Sequence, residues 1–260
     1  MAFTNILFKE KNAIAFVAVN RSKVPNALNM TTMEELRAAF LVFLAFGLIS
    51  CPNSLHAQAT AVYAHDHMPT RCVDVPAGEK RPEFGCFKVG TARGLQFSES
   101  KIFWQLWTFP DRATAEQAKS ANGVVVEEDG RVWVAEFGPK GIPLRGGERI
   151  AVIGPIQLLP AKSYDAEIAY AVMRPGDRSQ VHTHPGPEAW YVIAGEQCLE
   201  TPGGSARARV GGSMFVGPKV PMELDVTGTD VRRALAVVIH EPGQPFGISS
   251  DWKPTGACWQ

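Results

Sequence analysis

The chain has no charge of either sign to spare. Twenty-six Lys and Arg balance 26 Asp and Glu over 260 residues. No stretch gathers basic residues densely enough to follow a nucleic-acid backbone, so a nucleic-acid partner is not expected. None of the five cysteines stands in a CxxC pair, which removes support for zinc-ribbon and thioredoxin chemistry. The apolar run at 38–49 is shorter than the ~20 residues a membrane helix needs, so no stable transmembrane span is expected. What is abundant is turn chemistry. The 24 glycines and 19 prolines, with 45% hydrophobic and 20% charged residues, suit a β-rich globular fold with many tight connections.

Below residue 60 the chain reads unlike the rest. The strand-like Ile14, Phe16, Ala18 alternation, then Asn26-Ala-Leu-Asn29 and Met33-Glu-Glu-Leu36, resemble the opening strand and helix of the crotonase (enoyl-CoA hydratase/isomerase) family, with Thr31 or Thr32 as the helix start. The resemblance covers residues 1–40 and stops before that family's oxyanion-hole and catalytic positions, so it implies no site residue. A fused gene fragment, a misplaced start or a small accessory unit would each account for it.

Residues 41–59 continue as a signal-like segment. The apolar run at 38–49 has the length of a signal h-region, and Ala57-Gln-Ala59 forms an A-x-A cleavage site. Leu48-Ile-Ser-Cys51 also fits a lipoprotein box, with Cys51 as a lipidated terminus. The flank before the run, with Glu34, Glu35 and Arg37, is net negative where a signal is positive. A core helix is the competing reading. Export predicts a periplasmic or secreted product, lipid-anchored if Cys51 is modified; a joined N-terminus that blocks export predicts a cytoplasmic one. Cleavage after Ala59 would leave Cys72, Cys86, Cys198 and Cys258, an even number that allows disulfides. Cys72 and Cys86 flank a Pro-rich turn and are the first pair expected, although three connectivities are open.

Residues 60–155 read as a β-rich region with one short helix. His65-Asp-His67 lacks a partner carboxylate and reads as a solvated tail. Strands are expected at 86–91 and 101–108, and a helix at 113–121 capped by Asp111. A hairpin is expected across Glu128-Asp-Gly130, followed by a connector from Gly146-Gly147.

Residues 156–260 carry the chemistry. Eight short strands are expected there, at 167–173, 180–184, 189–193, 197–200, 207–210, 214–216, 222–225 and 231–239, which suits an eight-stranded jelly roll. Inside them lies GDRSQVHTHPGPEAWYVIAG, with Gly176, His182, His184, Glu188 and Gly195 at fixed spacing. Residues i and i+2 on one strand face the same side, so both imidazoles point inward. The turn from Pro185 to Pro187 lets Glu188 begin the next strand toward the same interior. Two imidazoles and a carboxylate suit a divalent transition metal with open coordination positions.

This string resembles the first motif of the cupin superfamily at every fixed position. The resemblance implies a jelly-roll β-barrel with a small-molecule cavity, a metal ion (iron, manganese or zinc) on His182, His184 and Glu188, and a homodimer. The second cupin motif is degenerate. From Gly211, its proline position holds Gly217, its glycine position Lys219 and its histidine position Met222. A thioether is a poor ligand for those metals, so Met222 reads as core. His240, at the end of an apolar run, is the candidate fourth ligand, against a hydrogen-bonded histidine at a strand end. Trp190 and Val192 share parity with Glu188 and are expected to line the cavity with Met222, while Tyr191 faces away. The implied activities are an oxidoreductase or isomerase acting on a small molecule, or a barrel that binds without turnover.

Overall fold

The computed structural model describes residues 6–11 and 14–19, for their backbone, and 72–75 and 79–260 with side chains. Contacts divide the chain into Met1–Ala61 and Val62–Gln260. In the first unit, β1 (Ile6–Lys11) pairs antiparallel with β2 (Ile14–Val19), so the alternating segment is a strand. The crotonase-like helix, the apolar signal-like run, the cleavage site, Cys51 and the His65–His67 pair lie outside the described residues. No described helix is long and apolar enough to cross a membrane.

The second unit is mainly β and builds three layers. The central one is a five-stranded sheet of β13 (Ser213–Val216), β10 (Glu188–Ala194), β15 (Arg232–His240), β8 (Tyr164–Met173) and β3 (Gly85–Leu95), in that order. A four-stranded sheet covers its back: β5 (Gly123–Glu128), β6 (Arg131–Gly138), β4 (Lys101–Phe109) and β7 (Glu148–Gln157). In front stands a three-stranded sheet of β12 (Gly204–Arg209), β11 (Glu196–Thr201) and β14 (Glu223–Asp225). A short ladder of β9 (His182–Thr183) and β16 (Ile248–Ser249) completes the front. Strands from both sides of position 155 thus share one sheet, through the β3–β8 pairing.

Burial on both faces explains the composition of the central strands. A sheet covered on one side alternates apolar and polar residues; one covered on both reads as a continuous apolar run. In β15 every residue but Arg233 is buried. Its rearward Leu235, Val237 and Ile239 join Ile168, Tyr170 and Val172 of β8 against Trp104, Leu106, Trp133, Phe137 and Ile153. Its forward Ala236 and Val238 join Ala169, Met173, Trp190, Leu199, Leu224 and Met222. A third cluster, including Trp107, Phe109, Val125 and Val134, seats α1 (Arg112–Ala118) on the outer face of the four-stranded sheet.

Several local expectations hold for the stated reasons. Asp111 caps α1, its side chain accepting from the Thr114 amide at 2.8 Å. The helix stops at Ala118, three residues early, because Ser120 turns its amide and hydroxyl to the Glu136 carboxylate. Asp129 and Gly130 turn the β5–β6 hairpin with φ of 55° and 69°, the left-handed pair a two-residue turn requires. Strand β7, expected as a connector, is concealed by two register shifts against β4 that break the period-two pattern.

The front layers do not close into one continuous barrel. The expected strand at 180–184 is reduced to His182–Thr183, and its link toward β14 consists of isolated bridges, Arg178 with Asp225 and His182 with Met222. Pro218 and Pro221 have no N–H to extend that ladder. The result is an open jelly roll of separate sheets rather than an eight-stranded barrel.

Candidate metal centre

His182 begins β9, His184 follows directly after it, and Glu188 begins β10. The turn between them is pinned to β15: the Ile239 amide donates to the Pro187 carbonyl at 3.1 Å. Gly186 is required there, since a Cβ would fall 1.8 Å from the Ile239 carbonyl oxygen. A second clamp comes from the degenerate motif. The Lys219 amide donates to the His184 carbonyl at 2.8 Å, and Lys219 has φ of 60°. The motif's glycine position therefore keeps its left-handed backbone although the residue is lysine, a conformation that disfavours a side chain.

The ligating atoms of His182, His184 and Glu188 all lie within 4.8 Å of one another, and all three residues are buried. His182 Nδ1 lies 2.7 Å from the Gln180 carbonyl, and His184 Nδ1 contacts the Phe246 carbonyl. A carbonyl can only accept, so both rings carry their proton on Nδ1. That leaves two Nε2 lone pairs facing each other at 3.0 Å. Glu188 Oε2 is buried 2.7 Å from His184 Nε2. Three buried donors converge on one point, and this arrangement fits a cation. The Nδ1–H to backbone carbonyl contact is also the support that metal-bound histidines commonly have.

The two rings titrate in opposite directions. Burial, then the neighbouring His184, hold His182 below the ordinary histidine value. Burial acts the same way on His184, but Glu188 and the Phe246 carbonyl outweigh it and push His184 up.

A small cavity of about 60 Å³ opens on this group. Trp190 lines it as parity requires, opposite Ala236. Tyr191 faces back against Trp133, ring centroids 6.0 Å apart. Val192 and Met222 are fully buried but stand outside the lining. Val192 lies further along β10, opposite Ala234, and Met222 is packed into the front apolar cluster. His240 is not part of the three-donor group. It lines a different cavity, with Nδ1 2.8 Å from the Glu241 carbonyl and Nε2 3.6 Å from Glu167. Its backbone pairs with Asp165, two residues past the Val238 that faces Glu188.

Other residues of the site carried weaker sequence signals. Arg232 lines the cavity while almost fully buried. Its parity with Ala236 and Val238 was readable, but its inward turn at a strand end was not. The expected Cys72–Cys86 pair is bonded, with Cα atoms 4.5 Å apart, and it too lines the cavity. Cys198 and Cys258 form a second disulfide. Glu200, Asp225 and Cys258 also cluster, but the Cys258 sulfur is in that disulfide, and the carboxylates accept from Thr255, Trp259 and Arg178.

Stacked antiparallel sheets with an inward His/His/Glu group define an open jelly-roll protein with a three-donor centre. Solved structures similar to this chain include the following. A cupin superfamily protein from Desulfitobacterium hafniense is 11% identical, over 29% of this chain and 67% of that one, with a TM-score of 0.27. A cupin-like protein from Thermotoga maritima is 17% identical, over 34% and 65%, with a TM-score of 0.30. The polyketide cyclase RemF from Streptomyces resistomycificus is 19% identical, over 34% and 62%, with a TM-score of 0.29. The chain thus spans about two thirds of each. No activity or ligand is carried over from likenesses of this extent. No family model and no curated protein matches the chain.

Proposed function

We propose that this protein is a cupin-type, metal-dependent enzyme, an oxidoreductase or isomerase acting on a small molecule in the cavity before Trp190. The carrying observation is the convergence of the His182 and His184 Nε2 lone pairs and the Glu188 carboxylate. These three residues would hold a divalent ion: iron, manganese or zinc. Bound there, the ion would supply Lewis acidity, or dioxygen chemistry if it is iron, at positions a three-donor set leaves open. The chain's own part is to orient the donors through Gln180, Phe246 and the Gly186 turn, and to flank the cavity with Trp190 and Phe246. The apolar Met222 in place of a fourth donor favours a second reading, a barrel that binds without turnover. The two disulfides support export to an oxidising compartment, periplasmic or outside the cell.

Metal analysis of the full chain, expressed with iron, manganese and zinc supplied, tests the reading. One ion per chain is expected, with His184→Ala lowering affinity at least ~100-fold, since one of only three ligands is lost. Protein that takes up no stoichiometric metal overturns it. Metal-loaded protein that turns over no small molecule in a substrate panel selects the non-catalytic reading.

A further inference from the structure

Arg232 is an anomaly in this cavity. It is 1% exposed, and buried charges are ordinarily paired with a charge of opposite sign. Even less buried arginines of the fold are paired: Arg81 forks onto Glu128 at 2.6 and 2.7 Å, and Arg178 meets Asp225 at 3.2 Å. Arg232 forms no ion pair among the described residues. Its Nε and Nη2 share one neutral acceptor, Gln197 Oε1, and Nη1 reaches only the Met173 sulfur at 3.8 Å. A guanidinium carries five N–H groups. These contacts engage three, leaving one on each terminal nitrogen for a further acceptor.

The surroundings limit what that acceptor is attached to. Apart from its polar groups the cavity is lined by apolar side chains, among them Trp190, Leu224, Phe246 and Met173. Its 60 Å³ has room for about five water-sized groups. Arg232 enters from β15 six positions away from Val238, which faces Glu188. Glu188 lines the same cavity and acts on Arg232 through space without an ion-pair contact.

We infer that the cavity takes a small carboxylate with an apolar body, its carboxylate held by Arg232 and its other end directed at His182, His184 and Glu188. The second half of that statement rests on the metal reading above; the first does not.

Calorimetric titration of the metal-loaded full chain with propionate and butyrate, and with their amides as uncharged controls, tests it. Wild-type protein should bind a carboxylate at least tenfold more tightly than its amide. Arg232→Met should lose that preference while keeping one metal ion per chain. It should also melt no lower than wild type, because a buried charge without a charged partner is replaced by an apolar chain of similar length. Should that variant not fold, Arg232→Lys, which keeps charge but not the planar fork, should bind at least tenfold more weakly. Amides binding as tightly as carboxylates, no carboxylate binding, or carboxylate binding unchanged in both variants would overturn the inference while leaving the metal reading in place. Arg232-dependent carboxylate binding by protein that takes up no metal would do the reverse.

Discussion

The two faces of the five-stranded sheet are made from alternate residues of the same strands, yet they differ in size and charge. The rear face presents Ile168, Tyr170, Val172, Leu235, Val237 and Ile239 to the four-stranded sheet. The front face presents more alanines, Ala169 and Ala171 from β8 and Ala234 and Ala236 from β15, beside Met173, Trp190 and Val238, and carries Glu188, Arg232 and His240. Large side chains fill the space between two sheets to interior density. Small ones leave a hollow, with Glu188 and Arg232 in its lining. One face therefore serves stability and the other supplies a site, and β15 carries both, one residue out of phase.

The largest expected contrast comes from emptying the rear. Trp133 is fully buried, and its Nε1 donates to the Glu128 carbonyl at 3.0 Å. Trp133→Ala should cost ~3–5 kcal/mol in denaturant unfolding, while folded protein keeps its metal affinity. A loss of metal affinity to match His184→Ala would show that the faces are not independent.

A matched pair sharpens the comparison. Ala166 lies in the rear core and Ala236 lines the front cavity. Adding two methyl groups to a filled interior strains it by ~1–3 kcal/mol, so Ala166→Val should lower the melting temperature. Ala236→Val adds the same bulk toward open space. It should leave melting nearly unchanged and weaken carboxylate binding. Equal destabilisation by both would show that the front hollow is closed.

The smallest effect concerns a front-layer carboxyl. Burial, then the nearby Asp225, raise Glu223 from 4.5 to about 7. Between those values the folded chain holds a proton that the unfolded chain has released. Stability therefore falls as pH rises through this window, and the loss is complete above about 7. Glu223→Gln removes that loss. Its melting temperature should exceed wild type by most near pH 8 and by little near pH 4.5, and a gain independent of pH would refute the assignment.

Much of the site was legible because it is local. His182 and His184 two apart, Glu188 after a Pro-Gly-Pro turn, and the parity of Trp190 need only strand geometry, and the Cys72–Cys86 pair spans one turn. The strands at 101–109 and 188–194 were legible because their patterns run unbroken. Strand β7 was not, since its register shifts scramble the alternation. Val192 and Met222 have the hydrophobicity of lining residues, but only the packing around them decides whether they meet the cavity or the core.

By itself, then, the sequence determined a β-rich chain with three converging side-chain donors and a degenerate second motif, all consequences of spacing within a few residues. Tertiary structure alone decided the rest. It stacked a third sheet behind the site and left the jelly roll open where Pro218 and Pro221 break the ladder. It sent His240 to a different cavity and turned Arg232 inward beside a neutral glutamine. Each of these depends on which distant strands become neighbours. The energy of a buried charge is set by what surrounds it in space, and spacing along the chain does not encode that.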